Sequence, residues 1–291
     1  MSARSRETVA LSDGLQDLTA EEYELFRRLV YEQSGINLGP QKQQLLRARL
    51  GKLLRGRGFR SYRAYYEYVR GDASGNELCA LIDAISTNTT HLFRERQHFD
   101  FLAEVLRARW VDAAASARPR NLRIWSAGCS SGEEPYSIAM TVDDTLAPLG
   151  RYDWKLLATD VSTRMLAKAR EGVFEAHRLG TVPDTFRRRY FVPAAGAAGC
   201  VQIRPELRQR ICFSRLNLMD EQFPFRHGFD FIFCRNVMIY FDRATQTRLV
   251  AKFARHLRPG GHLLIGHSES LNNIEHPLTY VRPTIYRRGA P

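Results

Sequence analysis

Apolar positions recur at three- and four-residue spacing through the first 110 residues. Tyr23, Phe26, Leu29 and Val30 follow Thr19 and Glu22, a capping-box pair, and Gly35 supplies a stop. A second helix is predicted over 41–55. Leu46, Leu50, Leu53 and Leu54 share one side of it, and Lys42, Arg49, Lys52 and Arg55 the other. A third starts near Ser61 (Tyr62, Tyr65, Tyr66, Val69), a fourth covers 77–86 (Leu78, Leu81, Ile82, Ile85), and a fifth runs over 95–110. This pattern predicts an all-helical domain over 18–111 behind a flexible tail, 1–17. The small-residue stretch 112–120 (DAAASARPR) reads as a linker at a domain boundary.

Beyond it the period changes. Short apolar runs at 122–125, 155–158, 211–214, 229–234 and 262–266 alternate with helical patterns at 134–146, 163–171 and 244–257, and two further strands are expected at 279–282 and 284–287. Such alternation predicts an α/β domain, 121–291, with a parallel sheet covered on both faces. The segment 173–210 interrupts it. Tyr190–Val192 and Val201–Ile203 flank a Gly/Ala-rich run and predict a hairpin, hence a small antiparallel insertion.

Composition narrows the class. The 291 residues carry 43 Lys+Arg against 31 Asp+Glu, a net charge of +12, which favours an acidic partner. The five cysteines are scattered without a C-x-x-C, which argues against a disulfide framework or a zinc site and fits a cytoplasmic protein. No apolar run reaches the roughly 18 residues of a membrane span, and the N-terminus has no apolar signal core.

The segment Ile124–Ser137 (IWSAGCSSGEEPYS) is a strand, a small-residue turn and a helix start. By itself it is either a tight turn or a ligand loop with free N–H groups at the helix start. The next strand ends in Asp160, which either receives ribose hydroxyls or caps the following helix. A ribose acid serves NAD and S-adenosylmethionine alike. NAD is disfavoured, because the turn is not G-x-G-x-x-G and Asp160 lies 28 residues past Gly132. Asn217 and Leu218 follow the third strand, and Cys234, Arg235 and Asn236 the fourth, where ligands gather in open α/β sheets. Arg235 either serves such a ligand or satisfies loop carbonyls.

These motifs resemble the chemotaxis receptor methyltransferases, the CheR family. The resemblance covers about 18–288 and rests on Ser86–Glu95 (STNTTHLFRE), Gly132–Ile138 (GEEPYSI), Ala158–Asp160, Asn217-Leu218, Phe233–Asp242 (FCRNVMIYFD), Leu257–Gly261 (LRPGG) and Gly266–Glu269 (GHSE). Ser86 and Leu92 depart from the Thr and Phe common in the first motif.

The resemblance implies an N-terminal helical domain followed by a class I, Rossmann-like methyltransferase domain with an antiparallel β-subdomain. It implies S-adenosylmethionine as methyl donor, S-adenosylhomocysteine as product, no metal, and glutamate side chains of chemoreceptors as acceptors. Asn88, Thr90, Arg94, Glu134, Asp160, Asn217, Leu218, Cys234, Arg235 and Asn236 become candidate cofactor residues. Arg94 and Tyr240 are candidates for positioning the reacting groups, although Tyr240 also reads as a half-buried interface tyrosine. His91 and His267 read as packing or capping residues. The basic helix face at Arg49, Lys52 and Arg55 becomes a candidate dock for the acidic methylation helices of a receptor. The β-subdomain is where a receptor C-terminal pentapeptide would bind. A monomer without membrane insertion is expected. A nucleic-acid methyltransferase is the rival, but it would need aromatic platforms or an N-P-P-Y motif, which the chain lacks. A non-catalytic cofactor-binding regulator is a third reading.

Overall fold

A computed structural model describes residues 14–86, 89–114, 117–119, 121–150 and 152–289. The chain divides into two compact units. One holds the chain up to Glu32 together with Asn37–Ser86, and the other holds Gln33–Ile36 together with the chain beyond Ser86.

The first unit is helical: α1 (Ala20–Ser34), α2 (Gln43–Arg57), α3 (Tyr62–Gly71) and α4 (Asn76–Ile85). The expected capping box opens α1, with Thr19 Oγ1 accepting from Glu22 N at 3.2 Å and Glu22 Oε2 accepting from Thr19 N at 2.9 Å. Ser61 caps α3 by accepting from Ala64 N. The apolar stripes meet as the periodicity requires: Phe26, Val30, Leu46, Leu50, Leu54, Tyr65 and Leu81 are all buried, and Phe26 packs against Tyr65 and Tyr66. Residues 14–17 are held rather than loose. Gln16 N donates to Arg60 O at 3.0 Å, and Asp17 pairs with Arg47. The rest of the expected tail, 1–13, lies outside the described residues.

The second unit begins earlier than the composition suggested. The fifth helix, α5 (Gln97–Leu106), ends in a wide turn at Arg107–Val111 and contributes Phe99, Leu102, Leu106 and Trp110 to the core of the sheet domain. The expected boundary at 112–120 therefore falls inside this unit, and among its described residues Arg118 folds back onto the carbonyls of Ala113 and Val111.

Then follow β1 (Leu122–Ala127), α6 (Glu133–Leu146), β2 (Trp154–Asp160) and α7 (Thr163–Glu171). The insertion comprises β3 (Val173–Glu175), α8 (Asp184–Tyr190), β4 (Phe191–Pro193), β5 (Cys200–Ile203) and α9 (Pro205–Arg208). The chain closes with β6 (Ile211–Arg215), β7 (Phe229–Cys234), α10 (Arg243–His256), β8 (Leu257–Ile265), β9 (Leu278–Arg282) and β10 (Ile285–Arg288).

The main sheet runs β6-β2-β1-β7-β8-β10-β9, parallel from β6 to β8, with β10 antiparallel to both neighbours. All six residues of β7 are buried, as a parallel strand covered on both faces requires. One face carries the α5 and α6 core. The other packs Trp125 edge-on against Phe223, Phe225 and Phe253. The insertion forms a separate antiparallel sheet, β3-β5-β4, with the expected hairpin between β4 and β5. Among the described residues no helix is long and apolar enough to cross a membrane.

Candidate functional site at the strand ends

Five parallel strands present their carboxyl ends along one edge of the sheet, in the order β6, β2, β1, β7, β8. Polar residues follow each of them, and those ends are where an open α/β sheet receives a ligand.

The turn after β1 is built on left-handed backbone. Gly128 and Gly132 have φ of +86° and +101°. A Cβ on Gly128 would lie 2.5 Å from Val237 Cγ2, and one on Gly132 would lie 3.1 Å from the Ala169 backbone, so neither position accepts a side chain without movement. The turn leans on the end of β2. Thr159 O accepts from the N–H groups of Gly128 (2.8 Å) and Cys129 (2.9 Å). Asp160 then accepts from Ser130 N at 2.8 Å and Ser162 N at 2.9 Å. Ser162, not Asp160, caps α7, by accepting from Met165 N. Asp160 is thus a buried carboxylate that fixes the turn. A carboxylate has about four acceptor sites in all, so it can hold two N–H groups and still receive a hydroxyl. Beside it, Ser130 Oγ is buried with no hydrogen-bond partner among the described residues.

The end of β7 is organised by charge. The Arg235 side chain is 2% exposed and lies between two carboxylates. Its Nη1 donates to Glu134 Oε2 at 3.1 Å, and its Nη2 donates to Glu95 Oε2 at 3.0 Å and to the Arg94 carbonyl. Its guanidinium covers the Phe99 ring, and Nε has no hydrogen-bond partner among the described residues. A buried arginine is tolerated only with such partners. Ser126 Oγ donates to the other Glu134 oxygen at 2.7 Å.

The two carboxylates respond differently. Burial works against ionisation of both. At Glu134 it prevails and raises the carboxyl above its usual range. At Glu95 the charge and hydrogen bonds of Arg235, with the His267 N–H, outweigh burial and hold the carboxyl below it.

Asn236 follows in left-handed backbone, φ +60°. Its N–H donates to Glu269 Oε2 at 3.0 Å, and Glu269 also accepts from Gly266, Met238 and Ile239 N–H groups. Glu269 therefore ties the loop after β8 to the loop after β7.

The other candidates fall into place around this frame. The Asn217 carbonyl oxygen accepts from Met219 N, and its amide donates to Gln33 O at 2.7 Å. Leu218 is buried, and its carbonyl accepts from Lys252. Cys234 ends β7 with its thiol wholly buried, and burial pushes that thiol well above its usual range. The Thr90 carbonyl accepts from Arg178, which also pairs with Glu133. Arg94 donates to Thr89 O and keeps a third of its side chain exposed. Tyr240 is half-buried on the short helical turn Met238–Tyr240. Asn88 lies outside the described residues. Thr90 and Arg94 were expected on the helical domain, but they belong to the sheet unit, because the segment after Ser86 packs there. In the first unit, Lys52 and Arg55 are exposed on α2, whereas Arg49 is half-buried and donates to the carbonyl of Ile85. Arg49 therefore closes the end of α4 instead of standing in solvent. Sequence reasoning assigned no role to Glu95, Ser130, Glu133, Arg178 or Glu269.

Two family models match the chain. The CheR methyltransferase all-alpha domain matches residues 21–86, and the CheR methyltransferase SAM binding domain matches residues 88–286. The chain belongs to the CheR methyltransferase family. Among its relatives, the chemotaxis protein methyltransferase of Borreliella burgdorferi is 39% identical over 274 residues, covering 94% of this chain and 96% of the relative. That of Escherichia coli is 38% identical over 283 residues, covering 96% and 92%. Chemotaxis protein methyltransferase 2 of Pseudomonas aeruginosa is 39% identical over 271 residues, covering 92% and 93%. The two matched domains meet between Ser86 and residue 88, in accord with the packing and not with the 112–120 stretch. The expected architecture holds: a helical domain, then a class I Rossmann-like domain with an inserted β-subdomain.

The strand ends of this CheR protein suit S-adenosylmethionine. A buried acid ends β2, where a ribose would be received, and the Ser130 hydroxyl, unpartnered among the described residues, stands at the same turn. The glycines leave the turn open to close approach, and the anionic groups Glu95, Glu134 and Asp160 are compatible with a sulfonium cation.

Proposed function

We propose that this chain transfers the methyl group of S-adenosylmethionine to glutamate side-chain carboxylates of chemoreceptors, yielding glutamate methyl esters and S-adenosylhomocysteine. The observation that carries this reading is the match to chemotaxis protein methyltransferases across both units, including every strand end described above.

The cofactor supplies a methyl group already activated by a sulfonium. A free glutamate carboxyl has a pKa of about 4.3, so the acceptor is ionised at neutral pH and no general base is needed. The protein's task is to orient and to exclude water. Asp160 receives the ribose hydroxyls while bracing the turn. Asn217 and Leu218 border the cofactor from the β6 side, and Thr90 from the segment leading to α5. Arg235 and Glu134 hold each other in place, and through Arg94 O they fix the segment that carries the Arg94 side chain. Arg94 and Tyr240 position the incoming carboxylate: a guanidinium can donate two parallel hydrogen bonds, and a phenol one. On the helical unit, the exposed Lys52 and Arg55 attract an acidic receptor bundle, and the β-subdomain edge accepts a receptor C-terminal peptide. A cytoplasmic monomer is in keeping with this role.

The test is methyl transfer from labelled S-adenosylmethionine to membranes bearing candidate receptors. Label released as methanol in alkali supports a carboxyl ester. Alkali-stable label, or label in nucleic acid, would overturn the reading.

A further inference from the structure

Beside Glu95 of the Arg235 clamp stand two histidines, His98 and His267, to which the proposed function gives no role. Glu95, His98 and His267 bring one ligand atom each to within 4.8 Å of one another. Glu95 Oε2 stands 3.5 Å from His98 Nδ1 and 3.7 Å from His267 Nε2. Tetrahedral ligands on bonds of about 2.0–2.1 Å are separated by roughly 3.3–3.5 Å, so the two contacts to Glu95 nearly match a zinc-sized ion, and the two ring nitrogens, within 4.8 Å of each other, close on it through a turn of the exposed His267 ring.

The hydrogen bonds around His98 favour one tautomer. Thr284 has one hydroxyl proton, and Oγ1 gives it to Pro283 O at 2.6 Å. The same Oγ1 lies 2.7 Å from His98 Nε2, and with the hydroxyl proton directed at Pro283 it accepts there, which assigns the ring proton to Nε2. Nδ1 is then a bare lone pair. The His98 side chain is fully buried, Nδ1 has no hydrogen-bond partner among the described residues, and it faces a carboxylate oxygen. A metal-ligating histidine has the same form: one nitrogen donates to a fixed oxygen, and the other offers its lone pair.

We infer that Glu95, His98 and His267 form a site for one divalent cation of the zinc class, bound through a carboxylate oxygen, Nδ1 and Nε2. His267 is 45% exposed and gives the ion a route from solvent. The Gln97 amide nitrogen, which faces His267 Nε2, must turn aside. Arg235 and Arg94 both border Glu95 and oppose a second cation there, which limits the affinity. The ion takes the oxygen that Arg235 Nη2 uses. Binding therefore loosens the clamp and weakens cofactor binding at the strand ends, a consequence that rests on the proposed function.

The test titrates the full-length protein with Co²⁺ and then Zn²⁺. One equivalent of Co²⁺ should give the visible bands of a tetrahedral nitrogen–oxygen site, without a thiolate band from the cysteines, and Zn²⁺ should displace it. His267→Ala alters an exposed side chain and should lower Co²⁺ affinity by more than about tenfold. Gln97→Ala should preserve or tighten binding. S-adenosylhomocysteine affinity, read by calorimetry, should fall with Zn²⁺ in the wild type and not in His267→Ala. Absence of the cobalt spectrum, or the same spectrum and affinity in His267→Ala, overturns the site. Metal binding without loss of S-adenosylhomocysteine affinity keeps the site and removes its coupling to the clamp.

Discussion

Replacing Glu95 and Glu134 separately by glutamine should have unequal effects, although both face one guanidinium. Opposite charges about 4 Å apart attract by about 4 kcal/mol at an effective dielectric of about 20. Desolvation offsets part of this, and glutamine keeps one acceptor oxygen. The net loss for Glu95→Gln is then about 1.5–3 kcal/mol, the range for a hydrogen bond to a charged group. At Glu134 burial outweighs the attraction, so Glu134→Gln also removes a desolvation penalty and should cost less than about 1 kcal/mol. The pH dependence separates them further. The Glu95 carboxyl is depressed, so its contribution is present above the unfolded value of about 4.3 and is lost as pH falls through its folded value. Glu134 is raised, so its penalty sets in as pH climbs past that same unfolded value and is complete above its folded one. All three tryptophans, 110, 125 and 154, lie buried in the sheet unit, so urea unfolding followed by tryptophan fluorescence reports on that unit. The wild type should lose stability between pH 6 and about 3 more steeply than Glu95→Gln. Equal losses from the two variants at pH 7, or a neutral Glu95→Gln, would refute this account of the clamp.

Asp160→Ala should weaken S-adenosylmethionine binding by on the order of 1–3 kcal/mol, and Asp160→Asn by less, since one oxygen remains for the turn; calorimetry on folded protein decides. Lys52→Glu with Arg55→Glu should raise the apparent KM for receptor and leave cofactor affinity intact. The wild-type KM should itself rise with salt, since exposed charges are screened over about 8 Å at physiological ionic strength. A fragment beginning at Arg120 should fail to fold, because it lacks Leu102, Leu106 and Trp110, all fully buried in the core of the sheet unit and each worth about 1.5–3 kcal/mol or more. A cooperative urea transition from that fragment would contradict the domain assignment.

Local periodicity revealed nearly every element, because apolar stripes and caps such as Thr19/Glu22 and Ser61 are properties of neighbouring residues. It did not reveal which core a helix joins. The stripe of α5 is as helical as that of α4, yet it packs on α6, while the Pro-containing stretch that looked like a boundary falls within the second unit. That Asp160 and Arg235 stand buried at strand ends was legible, because a polar residue after an apolar run has few reasons to be there. Their partners were not. Arg235 meets Glu95 across 140 residues, and Glu269 closes on Asn236 across 33. Both acids stood in quoted motifs, but nothing local distinguishes them from solvated glutamates. Arg49 shows the reverse case: it has the spacing of an exposed charge and the position of a helix-end donor.

The central claim is that the acceptor atom is a glutamate carboxylate oxygen. Tandem mass spectrometry of a chemoreceptor cytoplasmic region, after incubation with this protein and S-adenosylmethionine, locates the added methyl directly. The expected result is methyl ester on glutamates of the receptor's helical bundle, absent with Asp160→Ala at low cofactor and removed by mild alkali. Methyl groups on lysine, arginine or histidine nitrogens, with the glutamates untouched, would contradict it.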